Sequence, residues 1–409
     1  MAAFKVGVAR ADVTPPVRSL LAGHGYRTSE GLHDPLYSKV LFLSSGREEF
    51  ALVTNDLLGF DLDWVDKVRA LAKSYTGLRP DRILLTASHT HSGPHLRKLH
   101  DHPIDPHYAQ QTAEKIAGAI YEAKRNLQPA TVGFGRGSLA RNLNRRVNMP
   151  DGKHYFLPYN LHMMRYATGP VDREVGVVAF RTPKGAAIAT LVNYTAHVLC
   201  AGIGSPLITA DHPGVMMRVV EGKLGGMALF SNGAAGNVIP EGFESGHESA
   251  ERMGRALARE VLRVEKAIRC TPKVRLSHAR RAIRLPIRKD IFIQNGLVCV
   301  ARKDIKGASE YPIRYAKMKA VQTEMTAFRL NGVAFVGAPG ELLVEIGLAI
   351  KAGSPFKATY VLYNSNDYVG YIPPEQAYAQ GGYEEATLFP AEGGRIVERT
   401  ALSLLKRIF

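Results

Sequence analysis

The most informative stretch of the chain lies at residues 83–94, which have the sequence ILLTASHTHSGP. Its first part, Ile83 to Thr86, is a short apolar run that predicts a buried β-strand. The run leads directly to His89 and His91, and a Gly-Pro pair then interrupts the regular structure. Side chains two residues apart on an extended chain point to the same side, so we expect both imidazoles to face one site.

Short apolar runs alternate with helical patterns through most of the chain. Strands are predicted near residues 6–9, 40–43, 50–54, 83–86, 131–134, 175–180, 187–192, 227–231 and 333–337, and helices near residues 63–76, 108–126, 214–224, 248–268 and 308–319. A further helix is expected to begin at Glu341. This alternation favours an α/β fold of layered mixed sheets with helices. Because no repeat, low-complexity tract or linker occurs, residues 1–409 are predicted to form a single domain.

The composition is that of a globular protein, with 45% hydrophobic and 22% charged residues in 409. No run approaches the roughly 18 apolar residues that span a bilayer, so no transmembrane segment is expected. The N-terminus reaches Arg10 and Asp12 before any apolar stretch, which argues against a secretory signal. The three cysteines are widely spaced and fit reduced thiols. We therefore expect a cytoplasmic protein.

The formal net charge of +16 favours anionic partners. The lysines and arginines are scattered, however, and the densest stretch, residues 275–289, alternates basic with apolar residues. That pattern predicts a half-exposed strand pair with a solvated basic face. No sequence signature of a nucleic-acid-binding module occurs, so nucleic acid is not an expected partner.

Three further segments place candidate metal ligands at predicted strand ends or in loops. His197 follows a second apolar strand, and Glu341 follows a third one through the turn at residues 337–341, GAPGE. Residues 364–374, NSNDYVGYIPP, form a polar loop with two tyrosines. Taken singly, each segment has an ordinary structural explanation. A lone glutamate at a helix start, for example, commonly interacts with the helix dipole. Imidazoles and carboxylates are also the usual protein ligands of zinc.

In this order, the four segments resemble the neutral, non-lysosomal ceramidase family. The string HTHSGP from His89 to Pro94 matches a hallmark of that family, and residues 7–15 and 33–36 also resemble its bacterial members. The resemblance extends from about residue 3 to about residue 390. It implies the fold of a neutral-ceramidase-like catalytic domain. Because the chain ends soon after this region, no C-terminal immunoglobulin-like domain is expected.

The resemblance implies one bound Zn²⁺. Its ligands would be His89, His197, Glu341 and Tyr371. Neutral imidazoles and one carboxylate, with a position open to water, are what a hydrolytic zinc ion requires. Tyrosine is an unusual zinc ligand, so the alternative is that Tyr371 hydrogen-bonds the water or the oxyanion.

The resemblance also implies a set of catalytic residues. They are His91, Arg145, Tyr371 and Tyr383. His91 would move a proton or bind the oxyanion, Tyr383 corresponds to an oxyanion-stabilising tyrosine, and Arg145 resembles the active-site arginine. The neighbouring Arg141 and Arg146 leave the position of that arginine open by a few residues.

The implied function is that of a zinc-dependent amidohydrolase of lipid metabolism that cleaves a C–N bond with zinc-activated water. Ile239 stands where the family carries a serine, so an acyl-serine intermediate is not expected. The substrate would be a small N-acyl or cyclic amide, lipid-like or anionic, with Arg141, Arg145 and Arg146 favouring a carboxylate or phosphate. The alternatives are an esterase or lactonase on the same zinc site, or a catalytically inactive metal- or ligand-binding homologue. Whether the chain forms a homo-oligomer is left open.

Overall fold

A computed structural model describes residues 3–23, 27–97, 104–151, 154–202, 204–302 and 308–409. Among these residues, the α-helices are α1 (Leu62–Thr76), α2 (Pro106–Arg125), α3 (Asp211–Leu224), α4 (His247–Glu265), α5 (Val344–Ala352), α6 (Glu375–Gln380) and α7 (Glu392–Ile408). None of these helices combines the length and the apolar character needed to cross a bilayer.

The β-strands of the described residues are β1 (Phe4–Asp12), β2 (Leu20–Leu21), β3 (Arg27–Thr28), β4 (Gly31–Leu32), β5 (Tyr37–Ser45), β6 (Glu48–Asn55), β7 (Ile83–Ala87), β8 (Gln128–Pro129), β9 (Thr131–Ser138), β10 (Asn142–Asn144), β11 (Arg146–Asn148), β12 (His154–Phe156), β13 (Glu174–Arg181), β14 (Ala187–Tyr194), β15 (Leu207–Ile208), β16 (Met227–Asn232), β17 (Val238–Pro240), β18 (Leu276–Pro286), β19 (Phe292–Gln294), β20 (Leu297–Ala301), β21 (Ala308–Tyr311), β22 (Ala320–Leu330), β23 (Val333–Gly337), β24 (Glu341–Leu342), β25 (Ala358–Leu362) and β26 (Tyr371–Ile372).

Three sheets of four or five strands form the framework. Their strand orders are β7-β6-β5-β1-β8, β16-β14-β13-β9 and β18-β22-β23-β25. Each sheet is mainly antiparallel but contains one parallel pair, which is β6–β7 in the first sheet, β14–β16 in the second and β23–β25 in the third. Several mixed sheets with helices confirm the predicted fold class.

The inner faces of the three sheets meet in one apolar core. Phe50 of the first sheet lies 4.6 Å from Phe328 of the third, ring centroid to ring centroid. Phe328 in turn stacks on Phe335 at 4.5 Å, and Phe180 of the second sheet belongs to the same cluster. Because the strands are buried on both faces, they have nearly continuous apolar sequences rather than a strict alternation.

Helices cover the outer face of each sheet. The pair α1 and α2 packs on the first sheet, α3 and α4 on the second, and α5 and α7 on the third. Leu257 on α4 is an example of the contacts involved, since it is fully buried against the second sheet. Truncating such a side chain to alanine typically costs about 2–5 kcal/mol.

The candidate ligands follow the carboxyl ends of strands from all three sheets. β7 ends two residues before His89, β14 ends three residues before His197, and β23 ends four residues before Glu341. Each of these strands belongs to the parallel pair of its own sheet. Carboxyl ends of neighbouring parallel strands meet at one edge of a sheet, which is where α/β folds commonly bind ligands. The fold therefore brings three sheet edges to one place.

Three predictions of local secondary structure were wrong. Residues 308–319 do not form a helix, because Pro312 follows β21 and only a 3₁₀ turn, Ile313–Lys317, comes after it. Glu341 does not begin a helix either, since it lies in β24 and α5 starts at Val344. The basic stretch forms one long strand, β18, whose pairing partner is β22 rather than a second strand of that stretch.

Candidate metal centre

Three histidines from two strand ends lie together in the structure. The ring centroid of His89 is 4.9 Å from that of His91 and 4.9 Å from that of His197. One nitrogen of each ring lies within 4.8 Å of a nitrogen of the others, so the three could share a metal ion. All three side chains are buried.

His89 reaches this position through an uncommon backbone conformation. Its φ angle is 70°, in the left-handed region, and β7 has already ended at Ala87. The prediction that the rings of His89 and His91 lie near each other is confirmed. The reason given for it, an extended segment that carries both residues, was wrong. Non-glycine residues held in this region are found disproportionately at functional sites.

Backbone carbonyls orient two of the imidazoles. Nδ1 of His89 lies 2.9 Å from the carbonyl oxygen of Leu58, and Nδ1 of His197 lies 2.6 Å from that of Ala235. A ring nitrogen that faces a carbonyl must donate its hydrogen, which leaves the lone pair on Nε2. Histidine ligands of metals are typically held in this way.

Both Nε2 atoms point toward the same carboxylate. The Nε2 atom of His89 is 3.5 Å from Oε2 of Glu341, and that of His197 is 3.4 Å from the same oxygen. The hydroxyl of Tyr363 donates to Oε2 at 2.6 Å, and the hydroxyl of Tyr368 donates to Oε1. Two phenols thus fix the carboxylate between the two imidazoles.

The protonation states fit a metal centre. Burial lowers the pKa of His89 to about 4, so this imidazole is neutral at pH 7. Burial alone would raise the pKa of Glu341, but the neighbouring His89 and His197 outweigh it and lower the pKa well below its usual range. A neutral imidazole with a lone pair and an ionised carboxylate are the forms that bind zinc.

Strand pairing places Tyr371 next to Glu341. The short strands β24 and β26 are parallel, and Glu341 is the register partner of Tyr371. The Tyr371 hydroxyl accepts a hydrogen bond of 3.0 Å from the Arg145 guanidinium, whose Nε atom also donates to Glu384 at 2.7 Å. Burial and the Glu341 carboxylate raise the pKa of Tyr371 well above its usual value, so the free phenol keeps its proton.

Of the three neighbouring arginines, the structure brings Arg145 to the site. Arg146 donates to the other oxygen of Glu384 at 2.8 Å and to the carbonyl of Gly381 at 2.7 Å. Arg141 is more exposed and pairs with Glu241 at 3.0 Å. Because Arg145 and Arg146 share the single carboxylate of Glu384, the three arginines keep a net positive charge, and the expectation that they attract an anionic substrate stays a prediction.

Tyr383 completes one wall of the pocket. Its ring centroid is 5.7 Å from that of Tyr371, and it stacks on Phe156 at 4.8 Å. Burial raises the pKa of Tyr383, so its hydroxyl is a hydrogen-bond donor at neutral pH. The tyrosines 371 and 383 line a cavity of about 210 Å³ together with His89, His91 and Glu341.

Sequence reasoning missed the residues that hold the ligands in place. Tyr363, Tyr368 and Glu384 form hydrogen bonds to Glu341 or Arg145. Tyr368 lies in the polar loop of residues 364–374, but its local sequence does not indicate that it contacts Glu341. Gly23 was also missed: it has a φ of 102°, and a Cβ atom there would lie 2.5 Å from Nδ1 of His91.

Ile239 lies in an apolar cluster beside the site. It is fully buried on β17 and packs in one cluster with Val147, Leu157 and Phe243. A serine here would put a hydroxyl into apolar surroundings, whereas isoleucine fits them.

The fold and this site define a layered α/β protein with a candidate metal centre built from imidazoles and a carboxylate. The sequence model for the neutral/alkaline non-lysosomal ceramidase N-terminal region matches residues 4–245. The chain belongs to the neutral/alkaline non-lysosomal ceramidase family. The resemblance inferred from the sequence is thereby confirmed, whereas the roles of the individual site residues and the single-domain organisation stay predictions.

The chain is also similar to a known ceramidase in sequence and to solved ceramidase structures in fold. A neutral ceramidase of Pseudomonas aeruginosa is 24% identical over 255 residues, which cover 58% of this chain but only 37% of that protein. The crystal structure of neutral ceramidase from Pseudomonas aeruginosa matches 99% of this chain and 74% of its own, with a TM-score of 0.79 and 20% identity. A ceramidase complexed with C2 matches 99% of this chain and 75% of its own, with a TM-score of 0.80 and 19% identity.

Proposed function

We propose that this protein is a zinc-dependent hydrolase that cleaves the amide bond of a small acylated substrate. The observation that carries the proposal is the convergence of two Nε2 atoms, from His89 and His197, on one oxygen of Glu341 at 3.5 and 3.4 Å. Two imidazoles and one carboxylate form a frequent ligand set of catalytic zinc. When bound, zinc would supply a Lewis acid that polarises a carbonyl and acidifies water.

The residues around the ligands suit the chemistry of amide hydrolysis. Tyr371, supported by Arg145, and Tyr383 can donate hydrogen bonds to the carbonyl oxygen as negative charge develops on it. His91 faces the same pocket and is suited to move a proton from the attacking water to the leaving nitrogen. These assignments follow the role that each type of side chain plays in acyl transfer.

The overall reaction balances without a further reactant. The water oxygen forms a bond to the acyl carbon, and the C–N bond breaks. The leaving nitrogen takes up the protons that the water and the new carboxylic acid release, so the products are a carboxylate and an ammonium group. We infer direct attack by water, because the fully buried Ile239 offers no hydroxyl for an acyl-enzyme.

Metal removal and return test the proposal. Purified protein should contain about one equivalent of zinc, lose hydrolysis of a short N-acyl amide after chelation, and regain it when zinc is added back. His197→Ala should lose most of the zinc and the activity. His162→Ala, at an exposed histidine, is the matched control and should keep both. Full zinc occupancy in His197→Ala would refute the ligand assignment.

The same assays separate the amidase from its alternatives. An amide and an ester with the same acyl group should both be tested, since the site geometry suits attack on either carbonyl. Faster turnover of the ester after correction for its intrinsic reactivity would favour an esterase or lactonase. Stoichiometric zinc without turnover of any acyl compound would indicate a metal-binding homologue that has lost catalysis.

A further inference from the structure

Two arginines that the proposed mechanism does not use face the metal pocket. Arg97 and Arg302 line the same cavity of about 210 Å³ as His89 and Glu341. The guanidinium of Arg97 lies over the ring of Tyr368, 4.4 Å from its centroid. That of Arg302 lies 4.9 Å from the ring centroid of Tyr383. Each arginine therefore stacks on a tyrosine of the pocket.

Neither guanidinium forms an ion pair with a carboxylate among the residues that the structure describes. Arg97 is only 9% exposed. Asp61 lies near enough to favour the charged form of Arg97, but the two do not form an ion pair. The Nε atom of Arg302 is buried and has no hydrogen-bond partner there. A buried cation is costly unless it is paired, and stacking on an aromatic ring compensates only part of that cost.

The carboxylates of the pocket do not cancel these charges. Glu341 is already engaged by Tyr363 and Tyr368 and lies between the imidazoles. Glu310 also lines the pocket, but its side chain is exposed at the mouth. Beside the candidate metal centre, these two guanidinium groups are therefore able to bind an anionic group that enters the cavity.

We propose that Arg97 and Arg302 form a carboxylate-binding subsite, and that the substrate is an N-acyl amino acid whose amide lies at the metal centre. This inference rests on the proposed function and names its substrate class. The planar guanidinium matches a carboxylate with paired, charge-assisted hydrogen bonds. The formal net charge of +16 draws the same kind of substrate toward the protein.

Two substrates that differ in one charge test the proposal. N-hexanoylglycine carries the carboxylate, and N-hexanoylglycinamide replaces it with a neutral amide of the same shape. We expect kcat/KM to be roughly 10- to 100-fold higher for N-hexanoylglycine, as a charge-assisted hydrogen bond predicts. Arg97→Met and Arg302→Met should each lower that ratio by about 10-fold or more, and Arg97→Lys should retain part of it.

The matched control is Arg141→Met, because Arg141 is a more exposed arginine paired with Glu241 outside the pocket. It should keep the ratio of the unmodified protein. If Arg97→Met does not fold, Arg302→Met, at a partly exposed side chain, carries the same test. A ratio near one in the unmodified protein, or a ratio that both methionine variants leave unchanged, overturns the subsite.

A binding measurement separates failure of the subsite from failure of the proposed function. N-(methylsulfonyl)glycine has the carboxylate but no amide bond to hydrolyse. Calorimetry should give a Kd that rises about 10-fold or more in Arg97→Met and Arg302→Met. If no amide is hydrolysed but this loss is seen, the subsite stands and the amidase assignment falls. If amides are hydrolysed and the Kd is the same in all variants, the amidase assignment stands and the subsite falls.

Discussion

At the scale of single residues, the proposed zinc site raises the question of which side chain, His91 or Glu341, would be its third ligand. His91 has a ring nitrogen within 4.8 Å of those of the other two histidines, and Oε2 of Glu341 lies 3.5 and 3.4 Å from their Nε2 atoms. The two bonds that hold Nδ1 of His89 and of His197 against carbonyls direct Nε2 of both rings toward Glu341. Glu341 is therefore the expected ligand, and His91 the expected proton carrier.

The first prediction follows from this distinction. His91→Gln should still bind about one zinc, and its affinity for zinc should fall less than about 10-fold. Its kcat should fall by about 10²- to 10⁴-fold, because that is the usual contribution of a general acid or base. Metal content by mass spectrometry and steady-state kinetics measure the two effects. Glu341→Gln is the contrasting variant and should lose the zinc. If His91→Gln loses zinc to the same extent, His91 is a ligand.

A second prediction concerns Tyr371, whose hydroxyl is held by Arg145 at 3.0 Å. Tyr371→Phe should lower kcat by about 10²- to 10³-fold, because removing one donor to a developing oxyanion has that effect. KM should change little, since the charge forms mainly in the transition state. Tyr121→Phe, at an exposed tyrosine on α2, serves as the control. An unchanged kcat in Tyr371→Phe would mean that the phenol does not contact the reacting carbonyl.

At the scale of elements, one buried asparagine joins the strand ends that carry the ligands. The Nδ2 atom of Asn232, at the end of β16, donates to the carbonyls of Ser88 and Ala196 at 3.2 and 2.8 Å. Its Oδ1 accepts from the Ala196 amide at 3.2 Å. Ser88 and Ala196 directly precede His89 and His197, so Asn232 fixes the relative position of two sheets.

We therefore predict that Asn232→Ala destabilises the protein and weakens its metal site. Leaving these buried backbone groups without partners should cost about 2–5 kcal/mol in the free energy of unfolding. Zinc affinity should fall about 10- to 100-fold, as is usual when a group that supports the ligands is lost. Urea unfolding and zinc titration measure the two losses. Asn126→Ala, at an exposed asparagine outside the site, should leave the zinc affinity unchanged, and an Asn232→Ala protein with unaltered zinc affinity would contradict the proposal.

The strands and most helices could be predicted from the sequence because they depend on local patterns. The apolar run before His89 and the helix near residues 108–126 appear nearly as expected, as β7 and as α2, Pro106–Arg125. Glu341 was assigned to a helix start because its strand partner, Tyr371, lies 30 residues away, and such pairing leaves no local trace. Tyr371 became a candidate site residue through the resemblance to the family rather than through a local pattern.

The sequence also could not show which arginines are available to bind a substrate. Arg97 and Arg302 are separated by about half of the chain, and neither lies in the densest basic stretch of the sequence, residues 275–289. The arginines that did stand out, Arg145 and Arg146, proved to share the buried Glu384. Whether an arginine is paired depends on tertiary contacts, so its availability to a substrate cannot be deduced from charge patterns alone.

At the scale of the whole molecule, two buried carboxyl groups link stability to pH. Burial raises the pKa of Asp56 to about 7 and that of Asp367 to about 7. A carboxyl group whose pKa is higher in the folded state than in the unfolded state stabilises the fold while it is protonated. That contribution is complete below about pH 4 and is lost as the pH rises through 7.

Asp56 and Asp367 should therefore each lower the free energy of unfolding between about pH 4 and pH 7, by on the order of 4 kcal/mol, while the lowered pKa of His89 acts in the opposite direction. Asp56→Asn should remove the contribution of Asp56, and its amide oxygen can still accept the Tyr37 backbone N–H that now lies 3.0 Å from Asp56. Asp12→Asn, at an exposed carboxylate, is the control. Urea titrations across this pH range measure the effect, and parallel profiles for Asp56→Asn and the unmodified protein would contradict it.

The last prediction concerns the size of the substrate. The cavity beside the metal centre has a volume of about 210 Å³, below the roughly 300–1,000 Å³ typical of pockets that bury drug-sized ligands. Two arginines face it, and burying hydrocarbon against a guanidinium group without an ion-pair partner is unfavourable. We therefore expect long-chain ceramide to be a poor substrate, with kcat/KM at least about 10-fold lower than that of a short N-acyl amino acid.

The measurement compares N-acyl-sphingosines of 2 to about 16 acyl carbons with N-acylglycines of the same acyl lengths, all in one detergent, so that chain length and head group vary separately. Efficiency that rises steeply with acyl length in the sphingosine series, and exceeds that of every N-acylglycine, would contradict the prediction and make this chain a ceramidase in substrate as well as in family.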